Sequence, residues 1–325
     1  MLRTQMQASL FTVYFFVWFA TIARAQTNGD AALLHRFQTE APAAWDRVEA
    51  FHSTGTVRGT LTDTMQATGQ AEIDYRDHGL GILSREKAGY FLVETNRSKI
   101  VRPGSRAGSA IVITPSHAFS AHRENVGDTV WHMSDAHSGN SSSEQLRAAL
   151  LTQFGAYLVP FRFHPLVTNR DFFADPSVGP IELTSNPAEP HLIRASFPFT
   201  LSENLGPKVL LGVAVFDAAQ NWELVEAEVR GGKSIVRREM QYRDDPKSGI
   251  QRCALVRRTL AKQSGVNRLT FTVTEFDATP PRDEAFRSSA LGLPELTPEA
   301  RDPAQTAQAS PPPCCVPQIG GNSAY

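Results

Sequence analysis

Two histidines and an aspartate fall within His132-Met-Ser-Asp135-Ala-His137, and His117 and His122 lie shortly before them. Imidazole and carboxylate are good zinc ligands. A metal-dependent hydrolase built on the His117–His137 region is therefore one chemistry the chain can support. The spacing argues against it. His132 and His137 differ by five positions, so on a strand they point to opposite faces. A bend after Met133 toward Gly139 weakens that objection without removing it. There is no HExxH or other closed ligand motif. A solvated strand end and loop is the simpler reading, and no metal or cofactor is expected.

Glu226, Glu228 and Glu239, with Arg237 and Arg238, supply carboxylates and cations for acid–base work or anion binding. They fall on the polar faces of amphipathic segments, where cross-strand charge pairs explain them more simply. Each exposed pair of that kind contributes under about 1 kcal/mol. No Gly-x-Ser-x-Gly elbow, phosphate-binding glycine loop or dinucleotide fingerprint is present. Gly104 to Gly108 reads as a flexible basic turn. Arg252, Arg257 and Arg258, with Arg243 and Arg268 near in sequence, form a small basic stripe suited to a polyanion or lipid headgroup. No residue is assigned a catalytic role, and the chain is read as a non-enzyme.

The elements that would position these groups are mostly strands. Two-residue alternation starts near residue 52 and recurs at Thr54 to Thr62, Gly69 to Tyr75, Gly89 to Thr95, Ile111 to Ile113, Ala118 to His122 and Val130 to Met133. It returns after residue 190 at Leu192 to Phe199, Val209 to Phe216, Trp222 to Arg230, Ser234 to Tyr242, Cys253 to Leu260 and Leu269 to Phe276. Gly231-Gly232 predicts a two-residue hairpin turn, and Asp244 to Gly249 the next turn. Within Trp222 to Arg230, Val225, Ala227 and Val229 should share one face. Close turn signals and the absence of alternating helices predict antiparallel pairing.

Two helices are expected. Asp30 caps a stripe of Ala31, Leu33, Leu34 and Phe37, disturbed by Pro42 and continued by Trp45 and Val48. Ser142 and Gln145 form a capping box before Leu146, Leu150, Leu151, Phe154 and Leu158, ending before Pro160. Pro160 to Pro190 reads as irregular.

Composition bounds the rest. The 325 residues carry 32 basic and 33 acidic side chains, a net charge of −1. No global field draws in nucleic acid, and none is expected as a partner. Arg3, the apolar run Leu10 to Ile22 and Ala23-Arg24-Ala25 predict a signal peptide over residues 1–25, with Gln26 as the new N-terminus. The protein is then exported, periplasmic or extracellular. No later segment is long and apolar enough to span a bilayer. Residues 26–296 are expected to form one domain, and 297–325 a disordered tail rich in Pro, Ala and Gln. Cys253 reads as a small buried residue. Cys314 and Cys315 are adjacent, which suits free thiols or an intermolecular disulfide.

This order of elements resembles the LolA/LolB-like lipoprotein-carrier superfamily. The chain is also similar to secreted proteins of unknown function from planctomycete-type bacteria. That likeness is carried by Ile113-Thr-Pro-Ser-His-Ala-Phe119 with Trp131, by Phe216-Asp217 with Trp222-Glu-Leu-Val-Glu-Ala-Glu-Val229, and by Phe286 with Leu291-Gly-Leu-Pro-Glu295. It spans residues 30–296. It implies an α+β, mainly antiparallel fold: a curved, incomplete β-barrel with helices covering the concave face. It also implies non-catalytic binding of a lipid or lipidated chain, with a periplasmic interaction or sensor module as the alternative. Relatives of this kind end in a membrane segment after Leu-Pro-Glu, and here the tail stays polar. Candidate cavity residues are Leu92, Ile111, Leu211, Val213, Val225, Val229, Met240, Leu269, Phe271 and Val273, with Val209 beside them. Core packing is the competing role for each.

Overall fold

The computed structural model describes residues 31–71, 73–85, 89–97, 106–138, 140–203, 206–244 and 250–296. Residues 1–25, Gly104, Cys314, Cys315 and the tail lie outside these, as do the side chains of Ser142 and Phe154.

Helices α1 (Ala31–Thr39) and α2 (Ala41–His52) open the described chain. One interrupted helix was expected, and there are two. Pro42 sits in the first turn of α2, where its missing N–H leaves no helix bond unmade. A meander of six strands follows: β1 (Thr54–Ala67), β2 (Ile73–Arg85), β3 (Tyr90–Arg97), β4 (Gly108–Ile113), β5 (His117–Arg123) and β6 (His132–Ser138). Strand β6 begins later than the alternation implied and takes in the His/Asp segment read as a loop. Helices α3 (Asn140–Leu158) and α4 (Asn169–Ala174) then carry the chain away from that edge.

The second meander comprises β7 (Glu182–Asn186), β8 (Glu189–Glu203), β9 (Gly206–Asp217), β10 (Glu223–Gly231), β11 (Ser234–Arg243), β12 (Arg252–Lys262) and β13 (Gly265–Asp277). Both α4 and β7 lie inside the stretch read as irregular. Each is short, and a run of 5 or 6 residues holds too little periodicity to register.

All thirteen strands form one antiparallel sheet, ordered β6-β5-β4-β3-β2-β1-β13-β12-β11-β10-β9-β8-β7. The two meanders are joined where β1 pairs β13, with Leu61 opposite Phe271. Strands β6 and β7 are the edges, so the sheet is open. Bulges at Arg58/Gly59, Asp63/Thr64, Leu224/Glu226 and Gln241/Tyr242 bend and twist it. Gly231-Gly232 makes the expected turn, with Gly232 at φ 57.

The inner face is packed with Leu61, Ile82, Phe91, Phe197, Phe199, Leu210, Ala214, Phe216, Leu224 and Phe271. Phe37, Ala44 and Trp45 from α1 and α2, Leu150 and Tyr157 from α3 and Phe172 from α4 cover it. Helices rather than a second sheet therefore close the greasy side. A Cβ at position 212 would lie 2.4 Å from the Phe197 ring and 3.0 Å from that of Phe163, so glycine lets both rings settle on β9.

Strands β3 to β5 are covered on both sides. Phe91, Val93, Ile113 and Ala118 face the helices, whereas Leu92, Ala110, Val112, Phe119 and Ala121 form a second cluster with Trp131, Phe286 and Leu293. The C-terminal segment thus straps the outer side through two 3-10 turns, Asp283–Phe286 and Ser288–Leu291. Asp283 pairs with Arg85 at 2.6 Å, and Arg85 lies 4.2 Å over the Tyr90 ring. Ser288 Oγ donates to Pro294 O at 2.7 Å and accepts the Leu296 N–H at 3.2 Å. Phe286 is 1% exposed. Phe286→Ala should cost about 3 kcal/mol, as expected for deleting a buried ring. A urea midpoint shift worth less than ~1 kcal/mol would show the strap to be loosely held.

Candidate functional site

Three elements meet over the middle of the sheet. The last residue of α2, His52, and the end of α3, Tyr157 and Leu158, lie with Pro160 and Phe161 above Val57 of β1, Cys253 and Val256 of β12, and Phe271, Val273 and Phe276 of β13. Together they enclose an apolar crevice. Including its mouth it measures about 340 Å³, while the interior space is only about 20 Å³, roughly one water. The crevice is shut at rest.

Its few polar atoms are all neutral at pH 7. Burial pushes His52 down to about 4, assisted by Arg252. Its ring stacks on Phe161 at 5.1 Å, and Nε2–H donates to Gln251 O at 3.1 Å, which fixes the tautomer. Burial pushes the Cys253 thiol up to about 12 and raises Tyr157 well above its ordinary value. Tyr157 packs edge-on against Phe271 at 5.8 Å. Its hydroxyl is buried and has no hydrogen-bond partner among the described residues.

The roof segment 159–168 is irregular, so its backbone groups need side-chain partners. Asn169 supplies two: Nδ2 donates to Phe161 O and Oδ1 accepts the Phe163 N–H, each at 2.7 Å. Arg162 is 4% exposed. It forms a two-pronged pair with Glu49 of α2 and donates to Pro165 O at 3.3 Å. From the sheet, Arg238 donates to Arg162 O at 2.8 Å and to Phe163 O at 2.5 Å. The roof is thereby tied to α2 on one side and β11 on the other.

A second polar group lies behind the crevice wall. Glu223 at the start of β10 is 1% exposed. Its Oε1 accepts the Gln251 N–H at 3.2 Å, and its Oε2 has no partner among the described residues. Burial pushes its pKa up to about 8, with Asp217 and Asp244 adding to the rise. Gln251 therefore bridges Glu223 through its N–H and His52 through its carbonyl. Just before Glu223, Asn221 and Trp222 have φ of 55 and 54, a region non-glycine residues seldom occupy. The Trp222 carbonyl accepts the Trp45 Nε1–H at 3.0 Å.

The candidate cavity residues fall in several places. Phe271 and Val273 line the crevice. Ile111, Val229, Met240 and Leu269 belong to the same inner cluster without lining it. Leu92 lies under the C-terminal strap on the outer face. In β9 the even-numbered residues Leu210, Ala214 and Phe216 point inward, which sends Leu211 and Val213 outward. The run Val209–Phe216 is apolar on both faces, so alternation cannot set its phase. Val225 is the extra residue of the Leu224/Glu226 bulge, so it does not share the phase of Ala227 and Val229. Val209 is 70% exposed. His52, Tyr157 and Cys253 were not singled out as crevice residues, because their positions at the ends of elements carry no periodic signal.

The other candidates are dispersed. His122 lies opposite His132 with ring centres 5.8 Å apart, and His137 Nε2 is 2.8 Å from Asp135. His117 bonds Thr114 and Ser116. Among the described residues, no three His, Cys, Asp or Glu converge on one point. Arg237 pairs with Glu226 at 2.9 Å and Glu239 at 3.1 Å, and Arg257 lies 3.8 Å from Glu239. Arg238 leaves that group: its strand phase puts it on the inner face, where it holds the roof. Glu228 stays outside, paired with Arg230. No helix among the described residues is long and apolar enough to cross a membrane.

No protein-family profile and no curated protein matches this chain. Solved structures do. One is an outer membrane lipoprotein-sorting protein domain from Vibrio parahaemolyticus, at 11% identity and TM-score 0.41, covering 78% of this chain and 98% of that one. Another is a LolA superfamily protein from Nitrosomonas europaea, at 14% identity and TM-score 0.39, covering 78% and 99%. A third is lipoprotein LppX from Mycobacterium tuberculosis, at 8% identity and TM-score 0.27, covering 74% and 98%.

Proposed function

We propose that the protein binds an apolar or amphiphilic molecule, a lipid or a lipidated chain, between its helices and the inner face of its sheet, and performs no chemistry on it. The reading takes the chain as exported, as residues 1–25 lead one to expect. The observation that carries it is the crevice lining. Its walls are aliphatic and aromatic, and each titratable group there is held uncharged by burial. Such a surface favours acyl chain over water by about 0.8 kcal/mol per buried methylene.

Since the resting space is about one water, a ligand enters by lifting the roof of Tyr157 to Phe161. The unpartnered Tyr157 hydroxyl then meets the ligand's carbonyl or ester oxygen. Gentle purification followed by native mass spectrometry and lipid extraction tests the proposal. A stoichiometric amphiphile supports it, and a protein that neither carries nor takes up any amphiphile defeats it.

Tyr157→Phe refines the test. Removing a buried hydroxyl without a partner should leave stability unchanged or slightly raised. Affinity for a fatty ester should fall about fivefold, the worth of one modest hydrogen bond, while affinity for a plain alkane stays the same. Equal losses for ester and alkane would show that the hydroxyl does not touch the ligand.

A further inference from the structure

The outer face of the second meander carries an apolar row at one rim. Strand register aligns Pro198, Leu211, Arg230, Ile235, Ala261 and Val266 across β8 to β13. At about 4.8 Å per strand this row runs for roughly 24 Å. Leu211 is 43% and Ile235 40% exposed, and Val209, one step nearer the rim, is 70% exposed. These residues face away from the helices, and no described segment covers them. The next row inward is already polar, with Glu228, Arg237 and Thr259 in register.

The same rim is positive. In segments 206–213, 229–238 and 257–268 every charged residue is Lys or Arg, although the whole chain has a net charge of −1. Arg237 and Arg257 are matched by Glu226 and Glu239, and Arg230 by Glu228. Lys208, Lys233 and Lys262 sit at or beside three hairpin ends of this rim: β8–β9, β10–β11 and β12–β13.

We propose that this rim docks on the surface of an anionic phospholipid bilayer. Val209, Leu211 and Ile235 enter the interfacial layer, and the lysines meet headgroup phosphates. A strip one side chain deep suits shallow insertion. It is too narrow to form the apolar centre of a protein interface, which takes about 800 Å² from each partner. Shallow apolar contact and basic side chains add up in such binding, each Lys near an anionic surface contributing about fivefold. The proposal does not depend on what the crevice holds.

The test is co-sedimentation of the full chain with phosphatidylcholine vesicles, with and without phosphatidylglycerol. The apolar leader within residues 1–25 is common to parent and variants, so the comparison between them is what decides. The parent should bind anionic vesicles at least tenfold better than neutral ones, and salt at about 0.5 M should erase the preference. Val209→Ser, Leu211→Ser and Ile235→Ser together should lower anionic binding about tenfold, with an unchanged circular dichroism spectrum. Lys208→Gln, Lys233→Gln and Lys262→Gln together should abolish the anionic preference. Filling the crevice with Val256→Phe should change nothing here. A parent that shows no anionic preference overturns the proposal. So does a serine triple variant that binds like the parent, as when another class of partner occupies the strip.

Discussion

Trp45→Ala should lower the stability of the fold by about 4 kcal/mol. Trp45 is 5% exposed. Its ring packs 5.3 Å from Phe37, 5.4 Å from Phe173 and 5.3 Å from Phe216. The substitution opens a cavity at the junction of α1, α2, α4 and the sheet, and the surrounding rings can close it only in part. It also strips the Trp222 carbonyl of its donor, in a turn already held at positive φ. A loss of that size is a large part of the 5–15 kcal/mol that usually holds a domain folded. Denaturant titration gives the value directly. Trp45→Phe separates the two effects, since it keeps most of the packing and loses the hydrogen bond, and it should cost about 1–2 kcal/mol. If alanine costs less than about 2 kcal/mol, the helices are not anchored to the sheet through this residue.

The second large effect concerns pH. The Glu223 pKa lies near 8 when folded and 4.5 as the ordinary value, so between those limits the folded state holds a proton the unfolded state has released. Stability from this group is therefore complete below about pH 4.5 and declines as pH rises toward 8. At 1.36 kcal/mol per pH unit, the whole decline is on the order of 4 kcal/mol. The groups facing Glu223 reinforce it. Asp217 of β9 and Asp244 after β11 repel the carboxylate, and Tyr242 and Cys253 lie close by in their neutral forms. Glu223→Gln keeps an acceptor for the Gln251 N–H and cannot ionise. The variant should match the parent near pH 4.5 and exceed it by several kcal/mol at pH 8.5. Unfolding curves at both values decide the matter, and a difference independent of pH would mean that the carboxyl is hydrated.

Much of this architecture is legible in the residues alone, and the exceptions have physical causes. Leu269, Phe271 and Val273 alternate with threonines, so β13 announces both its existence and its inner face. Gly231-Gly232 fixes the neighbouring hairpin. Alternation fails where both faces are apolar. In β3, Phe91, Leu92 and Val93 are all buried because helices cover one side and the C-terminal strap the other. It fails again at bulges, where one extra residue reverses the phase. Burial of charge left no trace either. Glu223 and Arg162 look in the sequence like any surface residue, and only the fold shows that one lies behind the crevice wall and the other locks its roof. The crevice was legible as a face, through Phe271 and Val273, but not as a place. Its roof comes from residues at the ends of helices.

Strand β1 has its two partners at very different distances along the chain. It pairs β2 across a short turn, yet Asn267, which bonds Asp63 beside the β13 pairing, lies 204 positions away. A polypeptide made from its N-terminus must hold one edge of β1 bare until almost the last strand has been synthesised. Contacts this remote in sequence slow acquisition of the native state, and bare edges invite pairing with other molecules in the meantime. The seam between the two meanders is thus the step at which a nascent copy is most exposed to aggregation and most in need of a chaperone.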